Sequence, residues 1–385
     1  MGCNLGHGPP VNTDIFGTFR DAPGMKGGAM EGMEFCPRCG TPRQFVDNHE
    51  WLENGVIVQR GDRSHRMVLL ESANLDHLYR GIEEIIGLPI ERIVIETKRR
   101  ATREYIDRLV PEEVKDMVAR KEFDMNLLIQ ANNNLARIMG YGDVQVLGYR
   151  FEQDEGDFIR QRVRNPYSIP LWCGDLAGAT EAVTRRDNDV EYKIVSPGEV
   201  EINAFPAEHP PQFQGRLQLK EYHLLAGDVE LDRCGTCGGP AGLSAFKWNL
   251  EEGTITDLAT GRRLAMLGPA YQEAVFDELE KELGEDIPRI IVEAQRRFVR
   301  SGFYKAQEIE SEEQFRRLLA LRGLGNLRTL SLKDGRLRVR LENAALHLMF
   351  VGLLQGYVET ITGRDSSAEW ELSPEGVLEL EITAR

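Results

Sequence analysis

The stretch CPRCGTPRQFVDNHEWLENGVIVQRGDRSHRMVLLE (36–71) decides the architecture, because it returns as CGTCGGPAGLSAFKWNLEEGTITDLATGRRLAMLG (234–268). Cysteine pair, tryptophan, ENG or EEG turn and apolar strand recur in order. The offset is 198 at the first cysteine (36 to 234) and 197 at the tryptophan (51 to 248). Beyond it, IVIETKRRATR (93–103) matches IIVEAQRRFVR (290–300), and GYG (140–142) matches GLG (323–325). VRN (163–165) matches LEN (341–343), while Gly174, Gly178 and Glu181 match Gly352, Gly356 and Glu359. A repeat this long is a duplicated globular domain and not a solenoid.

Periodicity within each copy predicts helices first and an antiparallel sheet afterwards. Short hairpins are expected at 51–58 and 248–256. Apolar spacing predicts an amphipathic helix over 72–87, capped by Ser72 and stopped by Gly87, and a twin over 269–284 that buries Tyr271, Val275, Leu279 and Leu283. Second helices are expected over about 89–108 and 287–307, and third ones before the GxG turns. Strands follow at 160–165 and 336–343, then Gly-spaced helices at 171–185 and 348–362, then closing hairpins around 196–198 and 373–376. The order is α+β. The expected architecture is two such units, 35–203 and 234–385, related by a pseudo-two-fold axis and each preceded by a CxxC knuckle. Residues 204–233, with FPAEHPPQFQG (205–215), read as a linker, and the glycine-rich residues 1–34 as a tail.

Composition bounds the function. Sixty-two acidic residues against 47 basic ones give a net charge of −15, which opposes nonspecific binding to nucleic acid. The basic runs Lys98-Arg99-Arg100-Arg103 and Arg296-Arg297-Arg300 read as solvated helix faces. No apolar run reaches the ~18 residues of a membrane helix, and the first residues lack a basic start and an apolar core, so the cytoplasm is the expected compartment. No GxxxxGK[ST], GxGxxG, GxSxG or HExxH occurs.

Four of the six cysteines form the two knuckles; Cys3 and Cys173 have no counterpart. Zinc prefers four thiolates, and one knuckle supplies two. His49, His65 and His77 could complete a site in the first copy, but the second copy has no histidine between Cys237 and His347. A single structural zinc shared by Cys36, Cys39, Cys234 and Cys237 uses repeated residues alone, with an iron–sulfur cluster on the same ligands as the alternative.

The segment GVIVQRGDRSHRMVLLESANLDHLYRGI (55–82) resembles the amino-terminal sensor segment of the aromatic-responsive activators of xylene and phenol breakdown. The segments 140–203 and 323–384, with V-x-N, G-x-x-x-G-x-x-E and a closing hairpin, are similar to the 4-vinyl reductase type domain that follows it there. The resemblance implies a dimeric α+β sensor enclosing a small hydrophobic or aromatic ligand, here with the dimer built into one chain. No ATPase or DNA-binding segment accompanies it, so output through a protein partner is expected. The family's own zinc site, made by Cys and Glu around the closing hairpin, is not expected, because Val190-Glu191-Tyr192 and Glu369-Trp370-Glu371 stand there.

The expected pocket lining is Tyr167, Leu171, Trp172, Cys173, Leu176 and Tyr192 in the first copy and Met349, Phe350, Leu353, Leu354 and Trp370 in the second, although such spacing also suits plain core. The first copy keeps polar handles, which makes it the expected ligand site. Two other readings stand beside this one. One is an enzyme or enzyme subunit acting on an aromatic or tetrapyrrole-like substrate through Glu181, Glu359 or the metal. The other is a zinc-stapled scaffold that binds protein.

Overall fold

The computed structural model describes residues 33–209, 221–305, 309 and 311–385. The expected tail and Cys3 lie outside the described residues. After the first knuckle come α1 (Arg43–Asn48), β1 (His49–Trp51), β2 (Ile57–Gln59), β3 (Arg66–Glu71), α2 (Ser72–Ile86), α3 (Glu91–Leu109), α4 (Glu112–Ala119) and α5 (Met125–Ile138). Then follow β4 (Asp143–Arg150), β5 (Phe158–Arg164), α6 (Ile169–Thr184), β6 (Asn188–Ser196) and β7 (Glu199–Pro206). The second half runs β8 (Phe246–Asn249), β9 (Thr254–Asp257), β10 (Arg263–Leu267), α7 (Pro269–Leu283), α8 (Ile287–Arg300) and α9 (Glu312–Leu321). It closes with β11 (Asn326–Lys333), β12 (Arg336–Glu342), α10 (His347–Thr362), β13 (Ser366–Leu372) and β14 (Leu378–Ala384). The fold is α+β with antiparallel sheets.

Two four-stranded sheets have orders β4-β5-β7-β6 and β11-β12-β14-β13, the same topology at corresponding places. The third sheet joins the halves, in the order β1-β2-β3-β10-β9-β8. Its centre is the antiparallel pair β3 and β10, with Glu71 opposite Leu264 and Val68 opposite Leu267. Every residue of β3 is buried, as suits a central strand covered on both faces.

The halves exchange contacts on either side of that sheet. Trp51 donates its indole N–H to the Leu321 carbonyl at 3.0 Å, and Trp248 donates to Ile138 at 3.1 Å. The Gly142 N–H reaches the Gly253 carbonyl at 2.9 Å, and the Gly325 N–H reaches Gly55 at 3.1 Å. The Arg66 guanidinium donates to the Gly323 and Asn343 carbonyls, and Arg263 to Gly140 and Pro166. Helix α2 likewise packs on α8, and α7 on α3. The GxG turns are thus seats for the other half's hairpin.

Several expectations are corrected. Ser72 is the first residue of α2 and makes no capping bond; Glu71 precedes it as cap. Leu283 is exposed, and α8 stops at Arg300. Among the described residues helix α4 has no counterpart in the second half, and Phe205 and Pro206 belong to β7, so the linker starts after them. Of its described parts, 207–209 and 221–233, the second lies along the first hairpin: Asn54 donates to the Leu225 carbonyl at 2.8 Å and the Val229 N–H to Glu53 at 2.7 Å. The basic runs are not simply solvated faces. Lys98 and Arg99 are buried, and Arg99 bonds Glu96 and Glu181, because α3 is covered by α6 on one side and by α7 on another.

Buried histidines give the fold an acid sensitivity. Burial holds His49 down to about 4 and His65 down to about 3. Both are neutral in the fold, whereas in the unfolded chain they bind protons below about 6.5. Between those values the unfolded state holds more protons, so stability falls as pH falls. From pH 7 to pH 5 each should cost about 2 kcal/mol. Urea midpoints should drop over that interval, and a His49→Gln variant should lose less; a wild-type midpoint that does not move contradicts this.

Candidate metal centre and first-unit core

Each knuckle is a tight turn built the same way. The Cys36 N–H donates to the Thr41 carbonyl at 2.8 Å and the Gly40 N–H to Cys36 at 2.9 Å; Cys234 repeats this with Gly239 and Gly238 at the same distances. Gly40 and Gly238 have φ of 71° and 75°, a conformation that favours glycine, so the chain can double back under the sulfurs. Isolated bridges, Phe35 to Pro42 and Arg233 to Pro240, close each loop.

The two loops meet. The Sγ atoms of Cys36, Cys39, Cys234 and Cys237 all lie within 4.8 Å of one another, with Cys36 to Cys234 at 3.8 Å and Cys39 to Cys237 at 3.6 Å. Four thiolates around a tetrahedral ion at about 2.3 Å would stand about 3.8 Å apart, so the four sulfurs can hold a metal. Backbone N–H groups of Cys237 and Thr236 aimed at the Cys234 sulfur hold that thiol down to about 6, and those of Cys39 and Arg38 lower Cys36. Burial pushes Cys237 up to about 12. A ligand must shed its proton, and two of the four already lean toward thiolate.

The histidines considered as ligands are elsewhere. His49 sits 2.7 Å from the Phe45 carbonyl, His65 stacks on Tyr105 at 4.4 Å and His77 on Phe298 at 4.5 Å. Sequence reading missed a second grouping, Glu181, Asp187 and His209, whose ligand atoms also lie within 4.8 Å. His209 fell in the expected linker, so no signal joined it to Glu181. Arg99 at 2.6 Å and Arg103 at 3.4 Å share the same carboxylate, so a cation there would have to displace guanidinium groups.

Glu181 and its counterpart Glu359 are fastened similarly. Glu181 accepts from Arg99 and from the Asn188 N–H at 2.9 Å; Glu359 accepts from Arg296 at 2.6 Å and the Ser366 N–H at 3.0 Å. Each ties a Gly-spaced helix to its neighbouring helix and to the start of a strand. Such engagement suits a fold residue.

The expected lining residues of the first copy gather on and around α6. Tyr167, Leu171, Trp172, Cys173 and Leu176 are buried, whereas Tyr192 is half-exposed and donates to Glu91 at 2.8 Å. Tyr141 stacks on Tyr167 at 4.2 Å, and the Trp172 ring meets both edge-on at 6.1 and 6.2 Å. Burial pushes the Cys173 thiol well up, so it behaves as a small apolar residue. In the second copy Met349, Phe350 and Leu354 are buried, with Phe350 stacked on Phe315 at 6.2 Å; Leu353 and Trp370 are partly buried. A groove of about 500 Å³ runs over that copy's sheet, lined by Trp370, Thr329, Arg338 and four glutamates.

No family model matches the chain, and no curated protein does. Among solved structures, the phenol-responsive sensory domain of the transcription activator PoxR, determined with phenol, is similar over 45% of this chain and 93% of that one. The identity is 14% and the TM-score 0.31, too distant for its ligand to be carried over. Among the described residues no helix is long and apolar enough to cross a membrane.

Proposed function

We propose that the chain is a binding or sensor module for a small hydrophobic or aromatic molecule, held in the first unit beside Trp172, with one structural zinc joining the two units. The units, 35–203 and 234–385, are read as 4-vinyl reductase-like and as related by a pseudo-two-fold axis through the β3–β10 pair. The paired contacts across that strand pair support this.

One observation carries the ligand reading. Trp172 is buried among tyrosines with its indole N–H unpartnered, whereas Phe350, its counterpart, leaves nothing polar to satisfy. Buried polar groups are nearly always paired, and an unpaired one invites a partner from outside the chain. The four-sulfur geometry carries the zinc reading, with the sulfurs supplying a closed, purely structural ligand set.

Native mass spectrometry of the purified protein tests both. The expected spectrum carries one zinc and a small organic mass per chain. Titration with aromatic compounds should quench tryptophan fluorescence saturably, and Trp172→Phe should remove most of that signal. A bare metal adduct, with quenching that survives the substitution unchanged, would favour the protein-binding scaffold instead.

A further inference from the structure

The segment before the second knuckle is held as a bound peptide would be. Asn343, 2% exposed, grips its backbone with both ends of the side-chain amide: Oδ1 accepts from the Leu225 N–H at 2.8 Å, and Nδ2 donates to the Leu225 carbonyl at 3.2 Å. Asn54 donates to that carbonyl as well. Three residues earlier the Tyr222 hydroxyl donates to the Glu273 carboxylate at 2.9 Å, and its ring lies 5.1 Å from the Arg66 guanidinium. Two residues after Leu225 the chain passes so close to the first hairpin that a Cβ at Gly227 would lie 2.2 Å from Asn54 Cα.

The first unit carries the same cradle. At the aligned positions it has Asn165 for Asn343, Asp76 for Glu273, Arg263 for Arg66 and Glu252 for Asn54. These groups adjoin one another. Arg263 donates to the carbonyl of Pro166, the residue after Asn165, and burial, which brings Arg263 down to about 10, is opposed by the charges of Asp76 and Glu252. Among the described residues no segment lies in this cradle. Asn165 is half-exposed and its amide makes no hydrogen bond there, Glu252 is exposed, and no ring stands over Arg263. Asp76 Oδ1 and the hydroxyl of the fully buried Ser168 beside it have no hydrogen-bond partner.

The sequence ahead of the first knuckle does not repeat the anchors. The correspondence of the knuckles extends back through the bridges of Phe35 and Arg233 to Met33 and Leu231, which pack on the same cluster. Counted back from the cysteines, Gly24 then stands for Tyr222, Gly27 for Leu225, Ala29 for Gly227 and Glu31 for Val229, and residues 1–35 contain no tyrosine. The chain thus has two cradles and one anchored segment.

We infer that the cradle of the first unit binds an extended segment of a partner protein, its backbone gripped by the Asn165 amide, a tyrosine placed on Asp76 and Arg263, and a glycine five positions later passing the second hairpin. Backbone pairing gives such a segment its affinity, and the side-chain anchors its specificity. Asp228, held in the second cradle by Arg316 at 2.6 Å, would meet Asn133 at the aligned position of the first, with Glu252 in place of Asn54. The partner's residue there is therefore not acidic. The inference rests on the two units being related as proposed above and not on a ligand beside Trp172, so its failure leaves the ligand reading untouched.

The probe is a fluorescein-labelled peptide of residues 221–230 carrying Asp228→Asn, added to the intact protein and followed by anisotropy. Saturable binding of one peptide per chain is expected. Tyr222→Ala in the peptide and Asn165→Gly in the protein should each weaken it about tenfold. Glycine is the replacement because Asn165 has a φ of 52°. No binding to the wild type overturns the inference. Binding that Asn165→Gly leaves unchanged also overturns it, since the peptide has then displaced the chain's own segment or bound elsewhere. Should that variant fail to fold, as seen by circular dichroism, the two peptides on the wild-type protein decide, and equal affinity for both overturns the inference.

Discussion

Replacing Cys36 by Ser should take the metal content of the chain toward zero, not to one half. The two knuckles contribute two sulfurs each to one cluster, with Cys36 facing Cys234 at 3.8 Å and Cys39 facing Cys237 at 3.6 Å. A hydroxyl in place of one thiolate leaves three sulfurs and a poorer, harder donor at a soft site, and zinc affinity falls with each lost thiolate. Cys237→Ser should behave alike, because no sulfur belongs to a private site. Two independent ions, one per knuckle, would instead leave half the zinc in either variant.

Stability should fall with the metal. The centre joins loops 198 residues apart, so an ion bound by the folded chain and not by the unfolded one stabilises the docked halves. At free zinc a thousandfold above its Kd the contribution is about 4 kcal/mol. Chelation of the wild type should reproduce the variant's midpoint in urea, and adding zinc back should restore it to the wild type alone. Elemental analysis giving two ions per chain, or a variant that keeps half its zinc, would reject the shared centre.

Which parts of this were readable beforehand follows from what a repeat encodes. Type and order of elements were legible, since Leu75, Leu78, Tyr79 and Ile82 sit at helical spacing and are buried in α2 as that spacing requires. The closing hairpins and Gly-spaced helices were also legible. Partner choice was not. A repeat gives corresponding positions, such as Trp51 and Trp248, but not that each reaches across to the other half, because an intramolecular and an exchanged contact leave the same local pattern. The basic run at Lys98 and Arg99 misled for a related reason: charge on a helix reads as solvated until Asp175, Glu96 and Glu181 are known to face it. The four cysteines were legible as one site because the second copy has no histidine between Cys237 and His347 to complete a site of its own. His209 was not, since its carboxylate partners are distant in sequence and its own segment has no periodicity.

Gly178→Ala should be among the most damaging single methyl additions in the chain, costing about 3 kcal/mol. The repeated glycines were legible as a pattern, and the structure gives their reason. Helix α6 crosses α3 so closely that a Cβ at Gly178 would lie 2.2 Å from the Arg99 carbonyl oxygen and 2.9 Å from the Arg103 nitrogen. Both neighbours are helix backbone, so neither can swing away as a side-chain tip would. The helices must separate instead, which pulls Arg99 from Glu181, now bonded at 2.6 Å, and loosens the shell around Lys98 and Asp175. Leaving a buried charge without its partner adds to the steric cost. The counterpart substitution Gly356→Ala meets mainly the Val299 side chain, at 2.6 Å, with the Arg296 carbonyl farther away at 3.2 Å. A valine can shift, so that variant should lose less. The comparison of the two in urea separates close backbone contact from simple crowding. Equal losses, or a Gly178→Ala protein as stable as wild type, would show that α3 and α6 are not held at this distance. A ligand bound beside Trp172 should moreover weaken in Gly178→Ala and not in Gly356→Ala, since the first lies on the helix that carries Trp172 and the second on its twin.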